Sequence, residues 1–477
     1  GHFETELHTR YPDSSLFIRN MSDPGNTPVF RPHAARDTPW AFPGAERFLD
    51  DLPFIADSGQ AFQAPSIGHF PYPDQWLTNL EADIIIAFFG YNESFEGEEG
   101  LPAYKDQLSA FIEHTLNQEY NGETAPELVL VSPIAFEDLS GRQDLPDGTQ
   151  ENENLSLYAE AMEEVAAEHD LHFVDAFTPT KQWFESSDQP LTIDGSQLSG
   201  QGYKRFGRLL ADQIFGEDPP KAEAHRELIH EMVAEKNWTW HNDYKIPNGV
   251  HAYGRRYKPF GPDNYPYEIE KIRQMTAIRD SAIWRAAQGE STDLAAADAH
   301  TLELPEVETN YEEEPDGPGD TRYLYGQQAL DTFEMAPGYQ IELFASEEQF
   351  ADLANPVQLS FDNQGRLWVA VMPSYPHWRP GDGKPNDKLL ILEDTDGDGR
   401  ADQQTTFADS LHLPVGFELT ANGVLVSQGP DLKQYFDTDG DSRADSVEIV
   451  LSGFDDHDTH HAHSAYTADP SGAVYMG

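Results

Sequence analysis

The nonapeptide DTDGDGRAD at 394–402 returns as DTDGDSRAD at 437–445, forty-three residues further on. That offset is the length of one β-propeller blade, so the last third of the chain reads as repeated units, none of which buries its apolar face alone. A second motif keeps step with the first. FDNQGRLWVA (361–370), LTANGVLVSQ (419–428) and ADPSGAVYMG (468–477) each set a turn glycine ahead of an alternating strand. The expectation for 326–477 is the first blades of an all-β propeller, truncated inside a strand pattern.

Residues 1–216 follow another rule. SLFIRNM (15–21), ADIIIAFFG (82–90), ELVLVSPI (127–134) and LHFVDAF (171–177) are short apolar runs, separated by segments with helical spacing. Tyr104, Leu108, Phe111, Ile112 and Leu116 mark one helical face, Tyr158, Ala161, Met162, Val165 and Ala166 a second, and Phe206, Leu209, Leu210 and Ile214 a third. Near-continuous apolar strands between helices predict a parallel sheet covered on both faces. A site is expected at the carboxyl ends of those strands. Residues 217–292 read as a helical connector interrupted by an aromatic stretch at 238–266, and 293–325, with EVETNYEEEPDGPGD, as an acidic linker.

Lysine and arginine number 30 against 85 aspartate and glutamate, a formal charge of −55. Such a surface repels nucleic acid and anionic membranes, and its carboxylates suit a saline habitat, where self-repulsion is screened. Cysteine is absent, which removes disulfides and thiolate chemistry. No run approaches the roughly 18–20 apolar residues of a membrane span. The chain opens on Gly1 and stops at GAVYMG, so both ends read as cuts in a longer protein and carry no targeting information. The sequence is silent on oligomeric state.

The ends of the predicted strands carry polar residues suited to acyl chemistry. Gly25, in SDPGNT, lets the backbone approach a ligand closely and offer its N–H. Asn92, in YNESF, aims an amide at the same place, and two such donors make an oxyanion hole. Asp194 lies in LTIDGSQLSGQGY, just before the third helix. In this order and spacing, residues 1–216 resemble the SGNH (GDSL-like) hydrolase family. Gly25 matches its second-block glycine, Asn92 its third-block asparagine, with Glu93 where aspartate is more usual, and Asp194 the acid of its last block. The resemblance implies an α/β three-layer, flavodoxin-like fold and an esterase acting on acyl esters or acetylated carbohydrates through a serine, a histidine and an aspartate. Its Gly-Asp-Ser turn would lie upstream of Gly1. The base position is Gln197, which cannot take a proton from serine at neutral pH. Either His241 or His251 substitutes, or the domain binds without turnover.

Asp394, Asp396, Asp398 and Asp402, and again Asp437, Asp439, Asp441 and Asp445, have the spacing that converges oxygens on a calcium ion, with Glu448 at the twelfth position of the second loop. The alternative is a solvated Asp-Gly hairpin. The stretch from FEMAPGYQ to VMPSYP resembles the propeller of PVC-type haem-binding multidomain proteins (putative membrane-bound dehydrogenases) and, more distantly, the sorbosone and glucose dehydrogenases. That resemblance implies an exported, periplasmic or extracellular protein and a haem only in a downstream domain. It also places His461 beside a quinone cofactor as base. His460 and His463 in DDHDTHHAHS are alternatively transition-metal ligands, or the segment is a histidine-rich surface loop.

Overall fold

The computed structural model describes residues 1–31, 38–48, 70–250, 261–306 and 322–477. His251, one of the two candidate replacement bases, falls outside them, as does the 307–321 part of the acidic linker. The chain divides into two compact units: 1–246, 250–261 and 272–302 form the first, and 247–249, 262–271 and 303–477 the second.

In the first unit α1 (His2–Arg10) and α2 (Pro73–Asn79) precede a three-stranded sheet, with β1 (Ile84–Phe88), β2 (Glu127–Val131) and β3 (His172–Val174) parallel in that order. Four helices alternate with or follow the strands: α3 (Leu101–Leu116), α4 (Thr149–Glu168), α5 (Phe177–Ser186) and α6 (Gly200–Phe215). Successive side chains of a strand face opposite ways, and β2 shows the consequence. Leu128 and Leu130 pack with Tyr104, Leu108 and Ile112 of α3 and Tyr158, Met162 and Val165 of α4. Val129 and Val131 face Val174, Leu210 and Phe206 on the other side. The predicted helical faces are the ones that cover the sheet. This is a mixed α/β unit with a covered parallel sheet.

SLFIRNM is not a strand. Its carbonyls are taken by side chains of α7 (Arg226–Tyr244) and α8 (Gly261–Ala287). Trp284 Nε1 donates to Leu16 O at 3.1 Å, Lys236 Nζ to Ile18 O at 2.6 Å, Trp240 Nε1 to Asn20 O at 2.8 Å and the Tyr244 hydroxyl to Met21 O at 3.1 Å. Acceptors satisfied by helix side chains need no strand ladder. The WTWHNDY segment, expected to interrupt the connector, instead supplies the last turns of α7.

The second unit contains two four-stranded antiparallel sheets and a hairpin. The first sheet is β4 (Pro356–Phe361), β5 (Leu367–Val371), β6 (Asp387–Glu393) and β7 (Gln403–Leu411). The second is β8 (Phe417–Thr420), β9 (Gly423–Gln428), β10 (Asp431–Phe436) and β11 (Ser446–Ser452), and the hairpin is β12 (Tyr466–Ala468) with β13 (Val474–Met476). Each turn-glycine motif forms the hairpin opening its sheet. Gly423 has φ +144°, and a Cβ there would stand 1.9 Å from Tyr435 O.

Trp368, Ala370, Leu389, Ile391 and Phe407 of the first sheet pack on Phe417, Val424 and Val426 of the second. The Gln358 side chain bonds both backbone groups of Phe417, at 2.7 and 2.9 Å, so the opening strands β4 and β8 meet at this point. Ser427 joins the second sheet to the hairpin through His463 O and the Tyr466 hydroxyl. These sheets do not close a propeller among the described residues.

Candidate functional site

At the carboxyl end of β1 the chain turns at Gly90 (φ +101°) into YNESF. The Asn92 amide donates to Asn26 O at 3.1 Å, which places it against the turn containing Gly25 (φ +80°). Glu93 turns inward: its Oε2 accepts Gly90 N at 2.9 Å, Oε1 is buried without a partner, and burial raises its carboxyl above the usual range.

Among the described residues Asp194 meets no histidine. Its Oδ1 accepts Ser196 N at 2.9 Å, Ser196 Oγ at 3.0 Å and Gln197 N at 2.7 Å, all within its own loop. Gln197, half-buried, returns its carbonyl to Ile193 N at 2.8 Å. The loop is anchored from below by Glu137, which is 5% exposed and accepts Leu191 N, Thr192 N and Thr192 Oγ1. His241 sits in α7, and no described histidine is a hydrogen-bond partner of Asp194.

Tyr91, which precedes Asn92, packs against the cluster of Phe136 and Phe177, and the Asp194 loop meets the same segment where Glu137 N donates to Gly195 O at 2.8 Å. Burial, and to a lesser degree the Asp194 charge, raise the Tyr91 phenol above its usual range. Partial burial and the same charge raise Tyr203. Gly25, Asn92, Tyr91, Ser196 and Asp194 thus gather where the sheet's strands end. The arrangement supplies an amide donor, a close-approaching backbone, a hydroxyl and a carboxylate, which suits binding a polar neutral group. Tyr91 precedes Asn92 and Ser196 lies within the Asp-Gly-Ser-Gln turn, so adjacency in sequence was the available signal.

In an antiparallel meander the first and third turns share one end and the remaining loops the other. The aspartate loops therefore lie opposite all six histidines of 322–477, which fall in the β5–β6, β7–β8 and β11–β12 connections. At the aspartate end, Asp394, Asp396 and Asp398 bring carboxylate oxygens within 4.8 Å of one another, and Asp437, Asp439 and Asp441 do the same. The other three predicted ligands are placed elsewhere. Asp402 caps Thr395, Asp445 caps Thr438, and Glu448 stands in β11 opposite Gln434. The clustered carboxylates also accept backbone N–H groups of their own loops, such as Gly397 and Gly399 on Asp394 and Gly440 and Ser442 on Asp437.

At the histidine end, His461 is 64% exposed and its Nδ1 lies 2.8 Å from Asp458 Oδ2. His463 is buried, with Nε2 3.3 Å from Asp431 O. No cluster of three metal-ligating groups includes a histidine among the described residues. Buried Asn248 holds two loops together, donating to Pro376 O at 2.8 Å and accepting Thr459 N at 3.1 Å. Next to it, His377 bridges Glu268 Oε2 at 2.8 Å and the Tyr265 hydroxyl at 3.0 Å. Burial, then the Glu268 charge, raises that phenol.

A family described as a domain of unknown function (DUF7133) matches residues 326–477. No curated protein matches the chain. Similar solved structures include a lipase/acylhydrolase from Enterococcus faecalis, 22% identical, covering 29% of this chain and 64% of its own, with a TM-score of 0.21. A catalytic mutant of an acetylxylan esterase from Geobacillus stearothermophilus is 17% identical over 28% of this chain and 61% of its own, with a TM-score of 0.22. The aryl esterase of M. smegmatis is 18% identical over 30% and 67%, with a TM-score of 0.22. The chain thus spans under two thirds of the first two of these proteins. No helix among the described residues is long and apolar enough to cross a membrane.

Proposed function

We propose that the first unit is an ester hydrolase of the SGNH type, acting on neutral acyl or acetylated carbohydrate esters. The observation that carries this reading is the Asn92 amide seated against the Gly25–Asn26 turn, at the same sheet end as Asp194. Donors held there by the fold need no reorganisation as charge develops on a carbonyl oxygen, which is where preorganised dipoles accelerate acyl transfer. The reading leaves the nucleophile and base to other residues: Asp194 Oδ1 is taken by its own loop and Gln197 cannot act as base. The test is cleavage of an acetate ester by the full-length protein and by Asn92→Ala. A fall in kcat of about 10²-fold is expected from loss of one oxyanion donor. An unchanged rate removes the reading.

The exposed His461, paired to Asp458, favours a second reading, in which the histidine end of the second unit belongs to a quinone-dependent oxidoreductase propeller of an exported protein. A carboxylate on one ring nitrogen suits a base, so the residues present fit the cofactor's neighbourhood. The oxygen-only aspartate sets fit a hard cation such as calcium. Titration of full-length protein with pyrroloquinoline quinone and calcium, followed by absorbance, tests this. No saturable binding, or binding indifferent to His461→Ala, sinks it.

A further inference from the structure

The hinge of the candidate site is Gly90. At φ +101° it adopts a backbone conformation that only glycine takes freely, and glycine is also the residue least able to hold the chain in one direction. The turn it starts carries Asn92, which is exposed and spends one amide proton on Asn26 O at 3.1 Å. The second amide proton keeps a fixed direction only if the backbone of 90–92 is restrained from elsewhere.

Glu93 supplies that restraint. Its Oε2 accepts Gly90 N at 2.9 Å, the reach of a glutamate to the N–H three residues before it that also closes a capping box. Ser94 completes the turn, with its N on Gly90 O at 3.2 Å and its Oγ on Tyr91 O at 2.7 Å. A Cβ on Gly90 would stand 3.1 Å from Pro133 Cδ and 3.2 Å from the Tyr104 hydroxyl, so a side chain at 90 is not available to stiffen the hinge. Glu93 Oε1 and the Tyr104 hydroxyl are both buried and find no hydrogen-bond partner among the described residues. A buried carboxyl oxygen left unsatisfied costs stability, and folds keep such groups chiefly where a site needs them.

We propose that Glu93 is a positioning residue for the Asn92 amide, holding the 90–92 turn through Gly90 N so that the second amide proton keeps one direction. The inference rests on the hydrolase reading for what that proton does, but on the contacts alone for how it is held. A restraint of this kind contributes where charge develops on a substrate oxygen rather than in ground-state binding, so it acts on kcat and leaves KM. Glutamine at 93 offers the same acceptor, whereas alanine offers none.

The test uses the full-length protein with an acetate ester, and hydrogen exchange of the Gly90 amide read by mass spectrometry, which needs no turnover. Glu93→Ala is expected to lower kcat about tenfold at unchanged KM and to speed Gly90 exchange about tenfold, while Glu93→Gln stays within about twofold of wild type on both. Glu93→Met, which fills the same space without a carboxyl acceptor, repeats the comparison if the alanine variant does not fold. In an Asn92→Ala background, Glu93→Ala should cause no further loss of kcat, because the restraint acts only through that amide. A full additional loss in the double variant, a rise in KM alone, or unchanged exchange in the variants lacking the acceptor overturns the proposal. If the wild type cleaves no ester but exchange responds as expected, the positioning stands and the hydrolase reading falls. If ester is cleaved and exchange does not respond, the hydrolase reading stands and the positioning falls.

Discussion

His8 makes the first unit acid-sensitive by an amount that follows from its surroundings. It lies on α1 one turn after Glu4, is fully buried, and neither ring nitrogen has a hydrogen-bond partner. Around it stand the ion pairs Lys236–Glu4 at 2.9 Å and Arg19–Asp280 at 2.5 Å. Burial, and then the Lys236 charge, push its imidazole down to about 4, while Asp280 opposes the shift only weakly. Between that value and the ordinary 6.5, the unfolded chain holds a proton that the folded one lacks, so stability falls as pH drops through this window. The full difference amounts to about 3 kcal/mol, of which about 2 kcal/mol is already lost near pH 5.

Urea titrations of wild type and His8→Met, followed by tryptophan fluorescence, isolate the effect, because carboxylates titrate alike in both. Wild type is expected to lose about 2 kcal/mol relative to the variant between neutral pH and pH 5. Stabilities that stay parallel across that range refute the reasoning, since a histidine already charged in the folded state would carry no such slope.

Three further outcomes follow from the second unit. Asp387 is fully buried and holds Ser374 N at 3.0 Å, Ser374 Oγ at 2.6 Å and Leu413 N at 2.7 Å. Asp387→Ala should therefore lower stability by about 3 kcal/mol, measured by urea denaturation, as several donors lose one acceptor. Gly423→Ala should cost about 3 kcal/mol by the same measurement, because φ +144° and the Tyr435 carbonyl leave no room for a Cβ. Calcium should raise the Tm, and Asp394→Asn combined with Asp437→Asn should abolish the rise; an equal rise in that double variant would place the ion elsewhere.

Much of the backbone was legible from local pattern. The helical faces at 104–116, 158–166 and 206–214 and the three turn-glycine hairpins follow from periodicity and turn chemistry, which act over a few residues. SLFIRNM shows the limit of such reading. Its apolar alternation is strand-like, yet whether an extended segment joins a sheet depends on what meets its carbonyls, and here those partners come from more than two hundred residues away.

The candidate site divides in the same way. The sequence by itself determined the types and order of Gly25, Asn92 and Asp194, and the absence of histidine at Gln197. Only the tertiary structure decided that Asp194 Oδ1 is spent on its own turn, that Asp402, Asp445 and Glu448 leave the aspartate clusters, and that Glu137 anchors the Asp194 loop. The reason is that spacing constrains which groups can meet, while the direction of a side chain is set by competing partners that the fold delivers from distant positions.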